Sequence, residues 1–312
     1  MPIQSMNYYG LDIGGTKCAV SRLRGDGIVE ETHRIITGDA ESTLQALFAS
    51  VATLNPGPTP VFGISCGGPL DAQRGVIQSP PNLPGWDNTG ITTLVTQRFG
   101  GRAVLMNDAN ACALAEWRFG AGRGCRNMVF LTFGTGMGAG LVLNGHLYEG
   151  ACGNAGEIGH VRLENQGPVG FGKAGSVEGF CSGGGIARLA AQMADAGGMP
   201  ELWLDQGRVT TRCLAAAAIA GDQAARRIFE VSGRNLGHAL AIIVDLINPE
   251  RIIIGGVFPR CERLIRPSME VELRNEAIDS SVACCRIVPA ELGETIGSHG
   301  AIAAALHAFS KI

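Results

Sequence analysis

The sequence predicts an α/β fold built from two copies of one unit. Three observations carry this expectation. Short apolar runs alternate with longer Ala-rich stretches at helical spacing, as when helices cover largely buried sheets. Two glycine-rich hairpin segments share one layout at a constant offset of 120 positions. Finally, 46% of the residues are hydrophobic and 17% charged, which is ample for a packed core and excludes wholesale disorder. With 312 residues the chain is long enough for two domains.

The elements follow in order. From Tyr8 the chain reads as a strand, a bend at Gly14-Gly15-Thr16, a strand over Cys18 to Leu23, a Gly25-Asp26-Gly27 turn and a third strand. Ala40 to Leu54 has apolar residues at helical spacing, and Pro56 to Pro60 and Pro80 to Gly85 read as loops. The apolar run Ala103 to Met106 leads into an Ala-rich helix from Asp108 to Phe119, with Asp108 placed to cap it. From Met128 the first layout returns: strand, bend at Gly134-Thr135-Gly136, strand over Leu141 to Leu143, Asn144-Gly145 turn, strand. Asp-Gly and Asn-Gly between apolar runs are strong hairpin signals. Gly14 matches Gly134 and Gly25 matches Gly145, which suggests internal duplication. Helices are expected over Gly184 to Ala196 and Asp222 to Ile247, the latter ended by Asn248-Pro249. A β-branched strand, Arg251 to Ile254, closes on Gly255-Gly256, and a last helix runs from Ser298 to Phe309. We place the boundary near residue 115, with the last helix returning to the first domain: 1–115 plus 296–312, and 116–295.

Composition excludes several classes. Lys and Arg total 25 against 28 Asp and Glu, so the net charge of −3 offers no footprint for nucleic acid. No run of about 18 apolar residues spans a membrane, and the start has no signal-peptide pattern, so a cytoplasmic protein is expected. The ten cysteines are scattered without a CxxC pair and read as reduced, small, mostly buried hydrophobes.

The chemistry sits in three places. In Asp12-Ile13-Gly14-Gly15-Thr16-Lys17 the glycines turn amides toward an anion, Thr16 adds a hydroxyl, and Lys17 can add a cation. Asp12, at a strand end, can hold Mg²⁺ or its water shell. The second copy, Gly134-Thr135-Gly136, suggests a polyphosphate gripped from two sides. Gly134-x-Gly136-x-x-Ala139 also fits a loose dinucleotide fingerprint, which would suit an NAD-dependent dehydrogenase. That fingerprint needs a helix next, and a strand and hairpin turn are expected instead. Asn107-Asp108 ends a strand and starts a helix, where α/β folds place catalytic groups; helix cap and general base both remain open for Asp108. Glu157 and His160 stand three apart in a Gly-rich loop, and Glu178 lies in a second such stretch. Carboxylates and imidazoles of this kind can hold sugar hydroxyls.

Taken together, Asp12 to Lys17, Gly63 to Pro69, Pro81-Asn82-Leu83-Pro84-Gly85-Trp86, Asn107-Asp108, Gly134 to Gly138, Glu157 to His160 and Gly255-Gly256 resemble the ROK sugar kinases of the actin-like (ribonuclease H-like) ATPase superfamily, over nearly the whole chain. The resemblance implies a duplicated fold of two lobes with a cleft between them, and ATP- and Mg²⁺-dependent phosphorylation of a hexose or N-acetylhexosamine by a cytoplasmic homodimer. Glucose comes first, with N-acetylmannosamine, N-acetylglucosamine, fructose and allose open. Asp108 would be the general base. Gly68, Asn107, Asp108, Glu157, His160 and Glu178 would bind sugar. Asp12, Gly14, Gly15, Thr16, Lys17, Gly134, Thr135 and Gly136 would hold the phosphates and their ion, and Gly255-Gly256 the adenosine. A sugar-binding regulator of the same fold is the alternative from another class. Such repressors add a helix-turn-helix before the first bend, for which eleven residues before Asp12 leave no room.

One departure stands out. Many family members carry C-x-C-G-x-x-G-C-x-E after the Gly-His pair. Here Val169, Phe171 and Ser176 take the cysteine positions, and only the glycines and Glu178 remain. No structural zinc is expected. A substitute site from Cys152, Cys181 and His160 matches no standard spacing. We expect Phe171 to be buried where the metal would sit, leaving His160 for the sugar.

Overall fold

The computed structural model describes residues 8–24, 28–194 and 198–309. The expected Gly25-Asp26-Gly27 turn and the end of the helix expected to reach Ala196 lie outside these residues. The chain divides into two compact units, residues 1–124 with 291–312, and residues 125–290.

Each unit contains a five-stranded sheet, and the two sheets have the same topology. The first comprises β1 (Tyr8–Ile13), β2 (Lys17–Leu23), β3 (Val29–Ile36), β4 (Val61–Cys66) and β5 (Arg102–Asn107), in spatial order β3-β2-β1-β4-β5. The second comprises β6 (Met128–Phe133), β7 (Met137–Leu143), β8 (His146–Tyr148), β9 (Arg251–Ile254) and β10 (Arg286–Pro289), in order β8-β7-β6-β9-β10. In both, the first three strands are antiparallel neighbours and the last two join in parallel. The duplication is visible residue by residue: β6 and β7 begin and end 120 positions after β1 and β2. Asn144 and Gly145 have φ of 53° and 78°, the left-handed pair that lets a two-residue turn follow strand twist.

Several helices start on a capping side chain. In the first unit, Asp39 caps α1 (Ala40–Thr53) by accepting the Ser42 amide at 2.9 Å, and Thr43, Leu47 and Val51 form its buried stripe. Helices α2 (Ile91–Phe99) and α3 (Asp108–Phe119) follow. In the second, α4 (Val177–Phe180), α5 (Gly183–Met193), α6 (Thr211–Ala220), α7 (Gln223–Ile247), α8 (Phe258–Glu276) and α9 (Asp279–Cys284) surround the sheet. Asp222 caps α7, the longest, through the Ala225 amide at 3.0 Å.

Helix α10 (Ile296–Phe309) returns to the first unit. Its Ala301 to Leu306 stretch is fully buried against β1 and β4. This approach needs glycine on the strands: a Cβ at Gly63 would overlap the Ala301 carbonyl, and one at Gly10 would stand 3.0 Å from the Ala301 Cβ. The same close packing sets the unit boundaries. A division at 115/116 and 295/296 would cut α3, whose Ala111 lies against Gly300 of α10. The buried Glu116 carboxylate then takes the amides of Ala121, Glu291 and Leu292 at 2.8, 3.3 and 2.9 Å. Those bonds tie both crossing segments to the first unit, so the divisions fall at 124/125 and 290/291.

The ten cysteines are free thiols, and Cys18, Cys66, Cys125, Cys181 and Cys261 are buried. No helix among the described residues is long and apolar enough to cross a membrane.

Because nothing at Gly63 can yield except helix backbone, Gly63→Ala should cost about 1–3 kcal/mol or more by overpacking. A melting curve of the purified variant would show it as a lowered Tm, whereas an unchanged Tm would mean α10 can lift from the sheet at no cost.

Candidate active site

In the first unit the chemistry collects at the carboxyl ends of the parallel strands. Asp12, near the end of β1, pairs in register with Ser65 of β4, and Cys66 pairs with Asn107 of β5. Beyond β4 the chain continues as Gly67-Gly68. A Cβ at Gly67 would stand 3.8 Å from Asp108 Oδ2, and one at Gly68 3.8 Å from Asn107 Nδ2, so this glycine pair borders both side chains.

The cap of α3 is Asn107 rather than Asp108. Asn107 keeps extended backbone (φ −59°, ψ 142°) while Asp108 is already helical, and a capping residue needs the non-helical conformation. Asn107 Oδ1 accepts the Ala109 and Asn110 amides at 3.0 and 3.3 Å. Asp108 is thereby relieved of the cap. Its Oδ1 accepts the Ala109 amide at 2.8 Å, and Oδ2 is turned toward Gly67.

The electrostatics are those of two acids crowded by protein. Burial raises the Asp108 carboxyl above its ordinary value, although the residue keeps an open side to solvent. Asp12 is pushed up to about 6, first by burial and then by the Asp108 carboxylate, with Lys17 pulling the other way. Burial, followed by these two carboxylates, also drives the Cys66 and Cys112 thiols upward, so both stay neutral. Hard oxygen donors in mutual repulsion suit Mg²⁺, which takes one or two carboxylates and leaves its other positions to water and substrate phosphate. Asp12 fits as such a carboxylate.

The first glycine turn is braced from behind. Thr37 Oγ1 donates to the Gly14 carbonyl at 2.6 Å, and its amide donates to the Thr16 carbonyl at 3.1 Å. Gly15 sits against the backbone of Asn82, where any Cβ would overlap the Asn82 carbonyl. Lys17 points to solvent, 3.8 Å from Glu294, a surface pairing of little energy that leaves its charge usable.

In the second unit, Gly134, Gly136, Glu157, Glu178 and Gly256 come together around the start of β7. The Gly134 amide closes its turn onto the Gly136 carbonyl at 3.0 Å, and the Gly183 amide, at the start of α5, holds the Gly134 carbonyl at 2.8 Å. Gly255-Gly256 runs alongside: the Gly255 amide donates to Leu131, and a Cβ at Gly256 (φ +67°) would overlap the Phe133 carbonyl. No atom lies within 4 Å of where a Cβ at Gly134 would stand, so the turn keeps an open face. Glu178 Oε2 accepts the Met137 amide at 3.1 Å. The segment after Glu157 lies on the same strand, with Gly159 against both Met137 and Glu178. His160 Nε2 lies 3.8 Å from Glu157 Oε2, and both side chains are substantially exposed. A strand follows Gly134-Thr135-Gly136, so the dinucleotide fingerprint is spurious.

Phe171 is not buried. It is 62% exposed at the tip of a two-stranded ribbon, Val169–Gly170 with Lys173–Ala174. Phe171 and Gly172 form the two-residue turn, with φ of 46° and 73°, which throws the ring outward onto the edge of His160 at 4.6 Å between centroids. His160 is therefore partnered rather than free. Lys173 Nζ holds the His160 carbonyl at 2.6 Å, and Ser176 Oγ accepts the Gly179 amide at 3.2 Å as the cap of α4. Cys152 is exposed, while Cys181 is buried and donates to the Ser232 carbonyl. Among the described residues no three His, Cys, Asp or Glu side chains assemble as a metal site.

Two neighbours of the turns are not among the binding residues expected from sequence. Asn82 is exposed in a proline-flanked loop pinned by the buried Leu83 and Trp86, a pattern that marks a presented residue. Arg188 lies 3.2 Å from where a Cβ on Gly184 would stand, and the Thr135 carbonyl is 3.4 Å from the same point. An arginine one turn into a helix that opens on three glycines was the available signal.

Comparison with known proteins gives a consistent picture. Residues 8–308 match the sequence profile described as the ROK family. The glucokinase of Thermotoga maritima is 31% identical over 306 residues, covering 94% of this chain and 95% of that protein. The crystal structure of a ROK family glucokinase from Streptomyces griseus in complex with glucose and AMPPNP aligns with a TM-score of 0.80 at 32% identity, covering 95% of this chain and 98% of that one. A ROK family transcriptional regulator, a homolog of the Escherichia coli MLC protein, aligns with a TM-score of 0.83 at 25% identity, covering 98% of this chain and 79% of the regulator.

The acid pair predicts a titration. Asp12 should be protonated below about 6 and ionised above it, and Asp108→Asn should move that midpoint down by removing the like charge. Carboxyl-carbon NMR across pH would follow both. An Asp12 midpoint near the ordinary value of about 3.9 in the unmodified protein would contradict the burial described here.

Proposed function

The chain belongs to the ROK family, and from that membership and the site geometry we propose that it is an ATP-dependent sugar kinase. It transfers the γ-phosphate of ATP to a hydroxyl of a hexose or N-acetylhexosamine, with glucose as the first candidate. The observation that carries the reading is the division of labour at the start of α3: Asn107 takes the helix cap, and Asp108 keeps one carboxylate oxygen turned to the Gly67-Gly68 border.

Asp108 accepts the hydrogen bond of the attacking hydroxyl and takes its proton as the new oxygen–phosphorus bond forms and the β–γ bridging bond breaks, with ADP leaving. Burial weakens its acid and so makes its carboxylate a better proton acceptor. Gly68, Asn107, Glu157, His160 and Glu178 bind sugar hydroxyls, and Asn107 can donate through Nδ2 because its Oδ1 is engaged by the helix. Gly14, Gly15, Thr16 and Lys17 bind phosphate, as do Gly134, Thr135 and Gly136, while Gly255 and Gly256 border the adenosine. Mg²⁺ would neutralise charge on the transferring group, and Asp12 would supply the carboxylate that holds it or its water shell, leaving Asp108 to take the proton. The likeness to glucokinases at 31–32% identity over most of the chain supports this assignment. The likeness to a regulator at 25% identity supports the shared fold with a different output.

An ADP-release assay across hexoses and N-acetylhexosamines should give sugar-dependent turnover with at least one of them, and none with any would defeat the reading. Asp108→Asn preserves the acceptor for the Ala109 amide, so the variant should fold and bind sugar. Its kcat should fall by roughly 10²–10⁴, the usual contribution of a positioned base. Turnover within a few-fold of the unmodified enzyme would remove Asp108 from that role.

A further inference from the structure

We propose that Glu178 is a positioning residue through which sugar binding strengthens nucleotide binding. The inference rests on the kinase reading above and adds to it a coupling between the two substrates. Its basis is that one carboxylate meets both halves of the second unit's site. Glu178 Oε2 accepts the Met137 amide at 3.1 Å, and Met137 is the residue directly after the Gly134-Thr135-Gly136 turn. The last glycine of that turn is pressed against the same oxygen, since a Cβ at Gly136 would stand 2.6 Å from it.

The stem of Glu178 is packed against two glycines. A Cβ at Gly159 would stand 3.4 Å from the Glu178 Cβ, and one at Gly170 would stand 2.8 Å from it. Ser182 Oγ holds the Glu178 carbonyl at 2.8 Å, one residue before Gly183 grips the turn. Glu178 is therefore linked to the turn twice, through the Met137 amide at Oε2 and through the Ser182-Gly183 backbone that holds the Gly134 carbonyl.

The electrostatic consequence has a definite sign. With no sugar present, an anionic carboxylate stands beside a turn whose amides are to receive a phosphate, and it occupies one of the neighbouring amides itself. That arrangement opposes the nucleotide. A sugar hydroxyl donating to Oε1 draws the negative charge away from Oε2 and lowers the repulsion at the turn. Sugar thus tightens nucleotide binding, and by thermodynamic reciprocity nucleotide tightens sugar binding by the same factor. A carboxylate that only held sugar would have no reason to rest on the phosphate turn.

The test is calorimetric titration of AMPPNP with Mg²⁺ into the full-length protein, with and without the hexose that performs best in the turnover panel. The unmodified protein should bind AMPPNP several-fold tighter with sugar present. Glu178→Gln keeps an oxygen acceptor for the Met137 amide and removes the charge. It should bind AMPPNP several-fold tighter than the unmodified protein when sugar is absent, and its sugar-dependent gain should shrink toward one. Glu178→Ala, lacking the anchor, should bind AMPPNP more weakly than Glu178→Gln in sugar-free solution. A Glu178→Gln protein that loses sugar affinity yet keeps the sugar-free AMPPNP affinity of the unmodified protein would overturn the coupling and leave the kinase reading standing. Absence of any AMPPNP binding by the unmodified protein would overturn both.

Discussion

Two like charges at the ends of parallel strands govern how the first unit is built. Asp12 is next to last in β1 and Asp108 follows β5, with β4 between them. Two strand spacings, about 10 Å, separate β1 from β5, and β4 runs out into Gly67-Gly68, which interposes no side chain. The amino end of α10 is brought against Asp12 so closely that a Cβ at Gly297 would overlap its carboxylate. That end of a helix favours negative charge. Burial and the neighbouring acid still prevail, leaving Asp12 near 6. The thiols of Cys66 and Cys112 are held neutral by burial first and then by the same two carboxylates, so no third charge joins the pair.

The second unit reuses the same frame with the charges removed. The position 120 residues after Asp12 is Thr132, whose hydroxyl accepts the Gly138 amide at 2.9 Å. The middle parallel strand again ends in a glycine pair, Gly67-Gly68 after β4 and Gly255-Gly256 after β9. The outer parallel strand, which leads to Asn107-Asp108 in the first unit, leads to Pro289-Ala290 in the second. Duplication therefore preserved the backbone cradles while only one copy retained acids at its strand ends. A frame that presents amides suits an anion wherever it occurs, whereas a proton acceptor is needed once.

The repeat was legible in the sequence because turn chemistry is local. Two glycine bends and an Asn-Gly turn at one offset are enough to align β1 with β6 and β2 with β7. Capped helices such as α1 and α7 were legible for the same reason. Helix α8 has no counterpart among the sequence expectations. Pro267 lies in its interior and charged residues crowd it, although Phe258, Cys261, Ile265, Met269 and Leu273 form a proper buried stripe. The outward turn of Phe171 was hidden by a different conflict. Its apolar ring argues for burial, but the two-residue turn it shares with Gly172 decides its direction, and that turn exists only because Val169–Gly170 pairs with Lys173–Ala174. Capping of α3 by Asn107 turned on one residue's backbone angles, which adjacent Asn and Asp do not reveal. The contacts of Glu178 and Gly15 with distant backbone depend on tertiary packing alone.

The repeated frame also narrows which acid can take a proton from a substrate. Glu178 is committed to the Met137 amide, and Glu157 stands 3.8 Å from the His160 ring nitrogen, paired with another side chain. Asp12 is crowded by the first turn of α10 and has Asp108 as a neighbouring like charge. Asp108 alone combines raised basicity, an open side and an oxygen turned to a glycine border. That combination depends on Asn107 accepting the helix amides, since an Asp108 engaged as the cap would spend its basicity on α3. The neighbouring asparagine is thus a condition for the aspartate's chemistry, and the two residues act as one element of the site.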